Sequence, residues 1–154
     1  MLKIDIEPVA RLDFKKEKGM ELTASCCCES AGVITQGEPV INSLCHCENC
    51  KKRTGSAFGI SVYFKNKQIV KYFGETVIYT INNEIKQERY FCKNCGTTIY
   101  WKLSSIPDYI GVAGGCFNAD LLPDPVYTLS NDNKFSWLAL SGNFRECLEN
   151  DVFK

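Results

Sequence analysis

The chain has 154 residues, of which 45% are apolar and 23% are charged, and its 18 basic and 18 acidic side chains cancel. This balance is typical of one folded domain and excludes an intrinsically disordered chain. A net charge of zero provides no general attraction for nucleic acid or anionic lipid, so we do not expect nucleic acid as a partner.

The chain divides into an N-terminal extension, residues 1–19, and a single domain, residues 20–154. Charged residues interrupt every apolar run in the extension, so it lacks the apolar core of a signal peptide. No apolar stretch in the sequence is long enough to span a membrane as a helix. We therefore expect a cytoplasmic protein.

Seven segments alternate apolar with polar residues or are rich in β-branched and aromatic residues, which is typical of short strands. Turn signals such as CKNCG and SSIPD separate them. Helical spacing is confined to the residues after Cys47 and to NFRECLEND (143–151). The sequence therefore predicts a mainly β fold of short antiparallel strands. The seven segments are MELTASC (20–26), SAFGISVYF (56–64), ETVIYTI (75–81), ERYFC (88–92), TTIYWKL (97–103), DYIGVAGG (108–115) and KFSWLAL (134–140).

Eight of the ten cysteines are clustered, with C-C-C at 26–28, C-x-C-x-x-C at 45–50 and C-x-x-C at 92–95. In a reducing compartment such clusters indicate metal ligands or reactive thiols rather than disulfides. The alternative is a disulfide scaffold in an exported protein. Vicinal and C-x-C pairs suit an unstrained disulfide poorly, however. Zinc is the metal that best matches tight groups of thiolates.

The first predicted site combines two distant pairs. The turn formed by Cys92 and Cys95 with Gly96 supplies two corners of a tetrahedron and needs a second pair. Cys26 and Cys28, at the end of a predicted strand, are the obvious partners. We predict that these four cysteines hold a closed structural zinc that contributes directly to folding.

The second predicted site is formed by Cys45, Cys47 and Cys50, three ligands from one segment without a fourth. This is the arrangement of a catalytic zinc, in which the open corner accepts water or substrate. Three thiolates leave the centre with about one net negative charge, which suits the capture of an incoming thiol better than the activation of water. We therefore predict two zinc ions per chain.

Several side chains near the second site keep alternative interpretations. His46 is a candidate fourth ligand, but alternation along an extended chain points it away from a centre shared by its two neighbours. A role in the pocket or in simple packing stays open. The basic run Lys51, Lys52 and Arg53 would offset the negative charge or meet an anionic substrate, or else form a solvated helix face.

The three cysteines outside these groups are interpreted as small, partly buried apolar side chains: Cys27, Cys116 and Cys147. If either Cys27 or Cys116 faced the second zinc, it would supply the missing ligand and close that site.

The segments SCCC, CHCENCKKRTGSAFG, FCKNCGTTIYW and KFSWL resemble the glutathione-dependent formaldehyde-activating enzyme family, which also includes the centromere protein V domain. The resemblance extends from about Thr23 to Trp137. It implies a small, zinc-stabilised Mss4-like β-tent. Gly55 and Phe58 match a G-x-x-F pattern expected beside the pocket. The resemblance places the structural zinc on Cys26, Cys28, Cys92 and Cys95, and the catalytic-type zinc on Cys45, Cys47 and Cys50.

The resemblance also implies an activity, the condensation of glutathione with formaldehyde to S-hydroxymethylglutathione, which is a carbon–sulfur lyase reaction in reverse. The catalytic residues would be the three cysteines of the second site, with His46 or a tyrosine protonating the nascent alkoxide. Glutathione and a carbonyl compound would be the small-molecule partners, and a homodimer stays open. Two positions depart from the family pattern: Glu29 replaces a usual glycine, and Tyr127 replaces a frequent histidine.

Two other functions compete with this activity. A non-catalytic zinc module would bind a protein or chromatin, through a groove lined by Lys51, Lys52, Arg53 and Lys134. A methionine sulfoxide reductase of type B shares the broad fold, but its zinc is normally held by two C-x-x-C pairs, whereas C-x-C replaces one pair here.

Overall fold

The computed structural model describes residues 19–82, 86–118 and 121–147, and these residues form strands, one short α-helix and 3₁₀ turns. The helix, α1, spans Glu48–Thr54 and confirms the helical segment predicted after Cys47. The strands are β1 (Glu21–Ser25), β2 (Gly32–Gln36), β3 (Ile41–Cys45), β4 (Gly59–Lys65), β5 (Ile69–Phe73), β6 (Thr76–Ile81), β7 (Gln87–Cys92), β8 (Thr98–Leu103), β9 (Tyr109–Ala113), β10 (Tyr127–Leu129) and β11 (Arg145–Cys147).

The strands form two sheets. The small sheet has the order β1-β2-β5, and the large sheet has the order β11-β10-β3-β4-β9-β8-β7-β6. Neighbouring strands are antiparallel, as predicted, except that β10 runs parallel to both β3 and β11. A parallel neighbour requires a long crossover, and β10 reaches β3 from far along the chain. The mainly β fold class is confirmed.

The core lies between the small sheet and one face of the large sheet. Alternation along β1 turns Leu22 and Ala24 inward, where they are buried. At the edge of this core, Tyr100 stacks on Tyr90 and on Tyr72, with ring centroids 4.5 and 4.6 Å apart. The side chains from the large sheet that complete the core include Val62, Phe64, Ile99, Ile110 and Val112.

Two predictions of local structure are wrong. Residues 134–140 form turns rather than a strand, because Phe135 and Trp137 stack on each other at 5.7 Å and remain exposed instead of entering a core. The segment 143–151 was expected to be helical, but Arg145–Cys147 pairs with β10 as a strand. The remainder of that segment, residues 148–151, lies outside the described residues.

The N-terminal extension, apart from Gly19, also lies outside the described residues, so its boundary stays a prediction. Within the described ranges, no helix has the length and apolar character needed to cross a membrane.

Candidate metal centres

The first group of thiols forms where two turns of the chain meet. Cys26 follows β1, while Cys92 and Cys95 begin and end the turn between β7 and β8. Together with Cys28, their sulfur atoms all lie within 4.8 Å of one another. The Sγ atom of Cys28 lies 3.5 Å from that of Cys26 and 3.7 Å from that of Cys92. Sulfurs bound at 2.3 Å to a tetrahedral zinc are about 3.8 Å apart, so the group fits this ion.

Hydrogen bonds fix both turns before any ion binds. The Gly96 N–H donates to the Cys92 carbonyl at 2.9 Å, and the Ala31 N–H donates to the Cys26 sulfur at 3.3 Å. The hydroxyl of Thr97, 3.3 Å from the Cys95 sulfur, lowers the pKa of Cys95 to about 5. That thiol is therefore ready to bind a cation near neutral pH.

Glu29, which stands where the resembled family usually has glycine, adopts a backbone conformation that glycine favours. Its φ is 59°, in the left-handed region that glycine adopts without steric cost. Its N–H donates to the Cys26 carbonyl at 2.8 Å and closes the turn that carries Cys28. The chain therefore keeps a glycine-type backbone at this position with another residue in place.

The second group of thiols lies at the junction of β3 and α1. Cys45 ends β3 directly opposite Gly59 of β4, and Cys47 is the N-cap residue of α1. The sulfur atoms of Cys45, Cys47 and Cys50 lie within 4.8 Å of one another. Gly55 caps the C-terminus of α1, because its φ of 63° permits the left-handed conformation of a C-cap residue. The backbone therefore brings together the three residues expected from the sequence.

Close contact between the three sulfurs lowers the pKa of one thiol in the second group and raises the pKa of the other two. Hydrogen bonds with the Cys45 and Cys47 thiols lower the pKa of Cys50 to about 3. A hydrogen bond with Cys47, and a smaller effect of a hydrogen bond with Cys50, raise the pKa of the Cys45 thiol. A divalent cation would replace the protons that these sulfurs otherwise share. All ten cysteines are free in the structure, and seven of them lie in the two groups whose spacing suits metal ligands.

His46 is separate from this group of thiols. Its side chain is 0% exposed and meets Phe58 edge-on, with ring centroids 5.8 Å apart. Burial lowers the pKa of His46, against a smaller opposing effect of the Ala57 backbone, so the imidazole is neutral at pH 7. Neither ring nitrogen makes a well-aligned hydrogen bond to any residue that the structure describes.

The other three cysteines belong to neither group. Cys27 is exposed, and its backbone N–H donates to the Thr97 hydroxyl at 3.4 Å. The Cys116 thiol is half-buried and donates to the Thr98 carbonyl at 3.6 Å. Cys147 ends β11. Neither Cys27 nor Cys116 therefore supplies a fourth sulfur to the second group.

The basic run after Cys50 does not form one basic face. The Lys51 amine donates to the Asn133 carbonyl at 3.0 Å and lies 4.6 Å from the ring centre of Phe135. Lys52 extends into solvent and pairs with Glu48. The Arg53 guanidinium lies 4.4 Å above Trp101. The three side chains therefore contact different partners, and this weakens the hypothesis that they line one groove for chromatin.

Sequence reasoning missed Arg89, which joins β7 to α1. Its Nε donates to Gln87 Oε1 at 2.9 Å, and its Nη2 donates to Asn49 Oδ1. The Asn49 amide in turn donates to Gln87 Oε1 at 3.2 Å. The available signal was the period of two along β7, which places Gln87 and Arg89 on the same face.

Gly59 was also missed, although it lets α1 pack closely on the sheet. A Cβ atom at Gly59 would lie 2.6 Å from Arg53 Nη2 and 3.2 Å from the Cβ atom of Cys50. The absence of a side chain therefore gives room for both Arg53 and Cys50.

Comparison with known proteins agrees with this architecture. The crystal structure of a Rhodobacter sphaeroides protein matches with a TM-score of 0.51, covering 65% of this chain and 89% of that chain at 18% identity. Identity this low supports a shared fold alone. No curated protein matches. The family model described as "Glutathione-dependent formaldehyde-activating enzyme" matches residues 21–131, which is most of the chain. The protein therefore belongs to the glutathione-dependent formaldehyde-activating enzyme family.

Proposed function

We propose that this protein is a zinc-dependent carbon–sulfur lyase that forms S-hydroxymethylglutathione from glutathione and formaldehyde and also catalyses the reverse reaction. The observation that supports this most is the unequal size of the two thiol groups, four sulfurs in one and three in the other. A tetrahedral ion in the smaller group keeps one position for an external ligand. Family membership supports a thiol as that ligand.

In the proposal, Cys26, Cys28, Cys92 and Cys95 hold a structural zinc. They join the turn after β1, in the small sheet, to the turn between β7 and β8, in the large sheet. Such a site closes a long loop and adds its binding free energy to folding. This role requires no open position.

Cys45, Cys47 and Cys50 would hold the second zinc, and the chemistry that it would supply there is stabilisation of an external thiol as thiolate. The protein contributes the rigid placement of the open corner. Cys45 is fixed by the β3–β4 ladder, while Cys47 and Cys50 are fixed by the first turn of α1. Holding sulfur and carbonyl carbon within contact distance removes the entropy cost of their encounter.

The reaction then needs little further chemistry. The glutathione thiol loses its proton, its sulfur attacks the formaldehyde carbon, and a C–S bond forms while the C=O π electrons move to oxygen. The oxygen then accepts one proton, which balances the one that the thiol lost. His46 or a tyrosine is the candidate donor for that oxygen. Tyr79 is the tyrosine that directly faces Arg89 across β6 and β7. The free thiols and the use of glutathione lead us to propose a cytoplasmic location.

The test combines metal analysis with exchange kinetics. We expect two zinc ions per chain, and acceleration by the zinc-loaded protein of the exchange between ¹³C-formaldehyde and its glutathione adduct, measured by NMR. Matched samples without protein and with the Cys47→Ser variant provide the uncatalysed rate. If the wild-type protein gives no acceleration above these controls, the proposed activity is wrong.

A further inference from the structure

Three aromatic and basic side chains form a row on the face of the large sheet that α1 covers. Directly paired residues on neighbouring strands point to the same side of a sheet. Tyr79 pairs with Arg89, Arg89 pairs with Trp101, and Trp101 pairs with Gly111. The side chains of Tyr79, Arg89 and Trp101 therefore stand next to one another.

Trp101 is held firmly and carries a second guanidinium. A Cβ atom on Gly111 would lie 2.1 Å from the indole Nε1, so the indole packs directly over that glycine. The same Nε1 donates to the Tyr63 hydroxyl at 3.3 Å. Arg53 of α1 lies 4.4 Å above the indole ring, while Arg89 lies beside it. Two guanidinium groups are thus brought close together by one tryptophan.

Neither guanidinium has an acidic partner within the described ranges, where the salt bridges involve lysines. Arg53 Nη2 is buried and makes no well-aligned hydrogen bond to a described residue, and the charge of Arg53 lies close enough to Cys50 to lower the pKa of that thiol. Arg89 is held by the neutral amide oxygens of Gln87 and Asn49. Burial and then the charge of Arg53 lower the pKa of Arg89, whereas Cys50 raises it. Two close positive charges without an acidic partner favour the binding of an anion.

Helix α1 sets the position of this pair relative to the second thiol group. Arg89 donates to Asn49, which lies on α1 between Cys47 and Cys50, and Arg53 follows Cys50 on the same helix. Three thiolates around a divalent ion would carry one net negative charge, and a thiolate at the open corner would raise this to two, which balances the two guanidiniums without occupying the N–H groups of Arg89. The hydrogen-bonding capacity of Arg89 beyond its two neutral amide partners therefore suits a second anionic group on the same ligand.

We propose that Arg89, supported by the charge of Arg53, binds a carboxylate of the thiol that occupies the open position beside Cys45, Cys47 and Cys50. The planar fork of a guanidinium matches a carboxylate in shape and charge. The inference rests on the proposed function to the extent that a thiol is the ligand of the second site. It adds the selection of carboxylate-bearing thiols over neutral ones.

The test measures thiol binding to the zinc-loaded full-length protein by isothermal titration calorimetry, without any turnover. The two probes are glutathione and glutathione diethyl ester, which share the thiol and differ in the carboxylates. Arg89→Met is expected to weaken glutathione binding by about tenfold or more and ester binding by less than about twofold. Lys52→Met is the matched control, because Lys52 is on α1 but its side chain is 79% exposed, and it should change neither affinity.

An equal loss for both probes would show that Arg89 acts by holding α1 through Asn49, and this would overturn the inference. Unchanged glutathione affinity in Arg89→Met, or no thiol binding by the wild-type protein, would also overturn it. If Arg89→Met does not fold, Arg53→Met and Arg89→Lys are tested with the same pair of probes, and each should weaken glutathione binding selectively. Selective thiol binding without acceleration of formaldehyde exchange would support the inference and remove the proposed function.

Discussion

The sulfur of Cys47 caps the helix that carries Cys50, because the Cys50 N–H donates to Cys47 Sγ at 3.3 Å. Two residues of the second thiol group are therefore joined by a helix-capping hydrogen bond that needs no ion. The free N–H groups of a first helical turn also favour negative charge on the capping atom. Local helix formation thus prepares part of the site.

This relationship makes Cys47→Ser an informative change. Serine is a good N-cap residue, so we expect α1 and the fold to persist with a loss of less than about 1 kcal/mol. The hydroxyl is a poor zinc ligand, so the variant should retain one zinc per chain and lose thiol binding. Circular dichroism melts and zinc analysis measure the two effects. Unfolding of this variant would contradict the separation of a structural from a catalytic site.

The opposite result is expected for Cys92→Ser. Cys92 is 1% exposed, ends β7 and belongs to the group of four sulfurs. Opening a closed zinc site removes most of its contribution to folding, and a domain has only about 5–15 kcal/mol of stability in total. We expect loss of the cooperative thermal transition and of most bound zinc. Exposed Cys27→Ser, which alters neither group, is the control. A variant that melts like the wild type would exclude the structural role of Cys92.

Removal of metal should occur in two stages. An ion held by three protein ligands is expected to dissociate before one held by four, since the open corner gives a chelator direct access. Mild chelation should therefore release one zinc per chain while the circular dichroism spectrum stays unchanged, and stronger treatment should release the second zinc together with unfolding. Time courses of zinc release and ellipticity measure both stages. Simultaneous release of both ions with unfolding is the contrary outcome.

His46→Leu separates stability from catalysis. The imidazole is fully buried and makes no well-aligned hydrogen bond to a described residue, so an apolar side chain of similar size should leave stability unchanged or slightly higher. If His46 protonates the alkoxide, turnover should fall by about 10²-fold with little change in thiol affinity. Urea unfolding and formaldehyde-exchange NMR measure the two quantities. Unchanged turnover would assign the donor to a tyrosine instead.

Gly111→Ala tests the packing beneath Trp101. The added Cβ would lie 2.1 Å from the indole Nε1, so the ring must move, at a cost of about 1–3 kcal/mol. Gly115→Ala is the control, because a Cβ there meets no atom within 4 Å. Urea unfolding followed by fluorescence measures the difference between the two variants. Equal stability of both would show that Trp101 is not held as described.

The sequence predicted much of the local structure, because local spacing controls it. Alternation together with β-branched and aromatic enrichment identified β1, β4, β6, β7, β8 and β9, whereas β2, β3, β10 and β11 were not among the predicted strands. It misassigned the segment around Trp137, since alternation cannot distinguish a strand from two aromatic rings that stack on each other in a turn. β5, with its mostly exposed side chains, was not predicted, because its pairing with β2 depends on a distant strand.

The candidate site also has a part that the sequence predicted and a part that only the tertiary structure decided. Cysteine spacing indicated which neighbouring sulfurs point to a common centre, because C-x-C and C-x-x-C turns bring nearby thiols together. The meeting of Cys26 and Cys28 with Cys92 and Cys95 was decided by tertiary structure, which brings the turn after β1 to the turn between β7 and β8. The meeting of Arg53 with Arg89 over Trp101 was decided by tertiary structure, since it depends on the register of β7, β8 and β9 and on the packing of α1. Register and helix packing arise from contacts between residues far apart in the chain, and a single sequence carries little local trace of them.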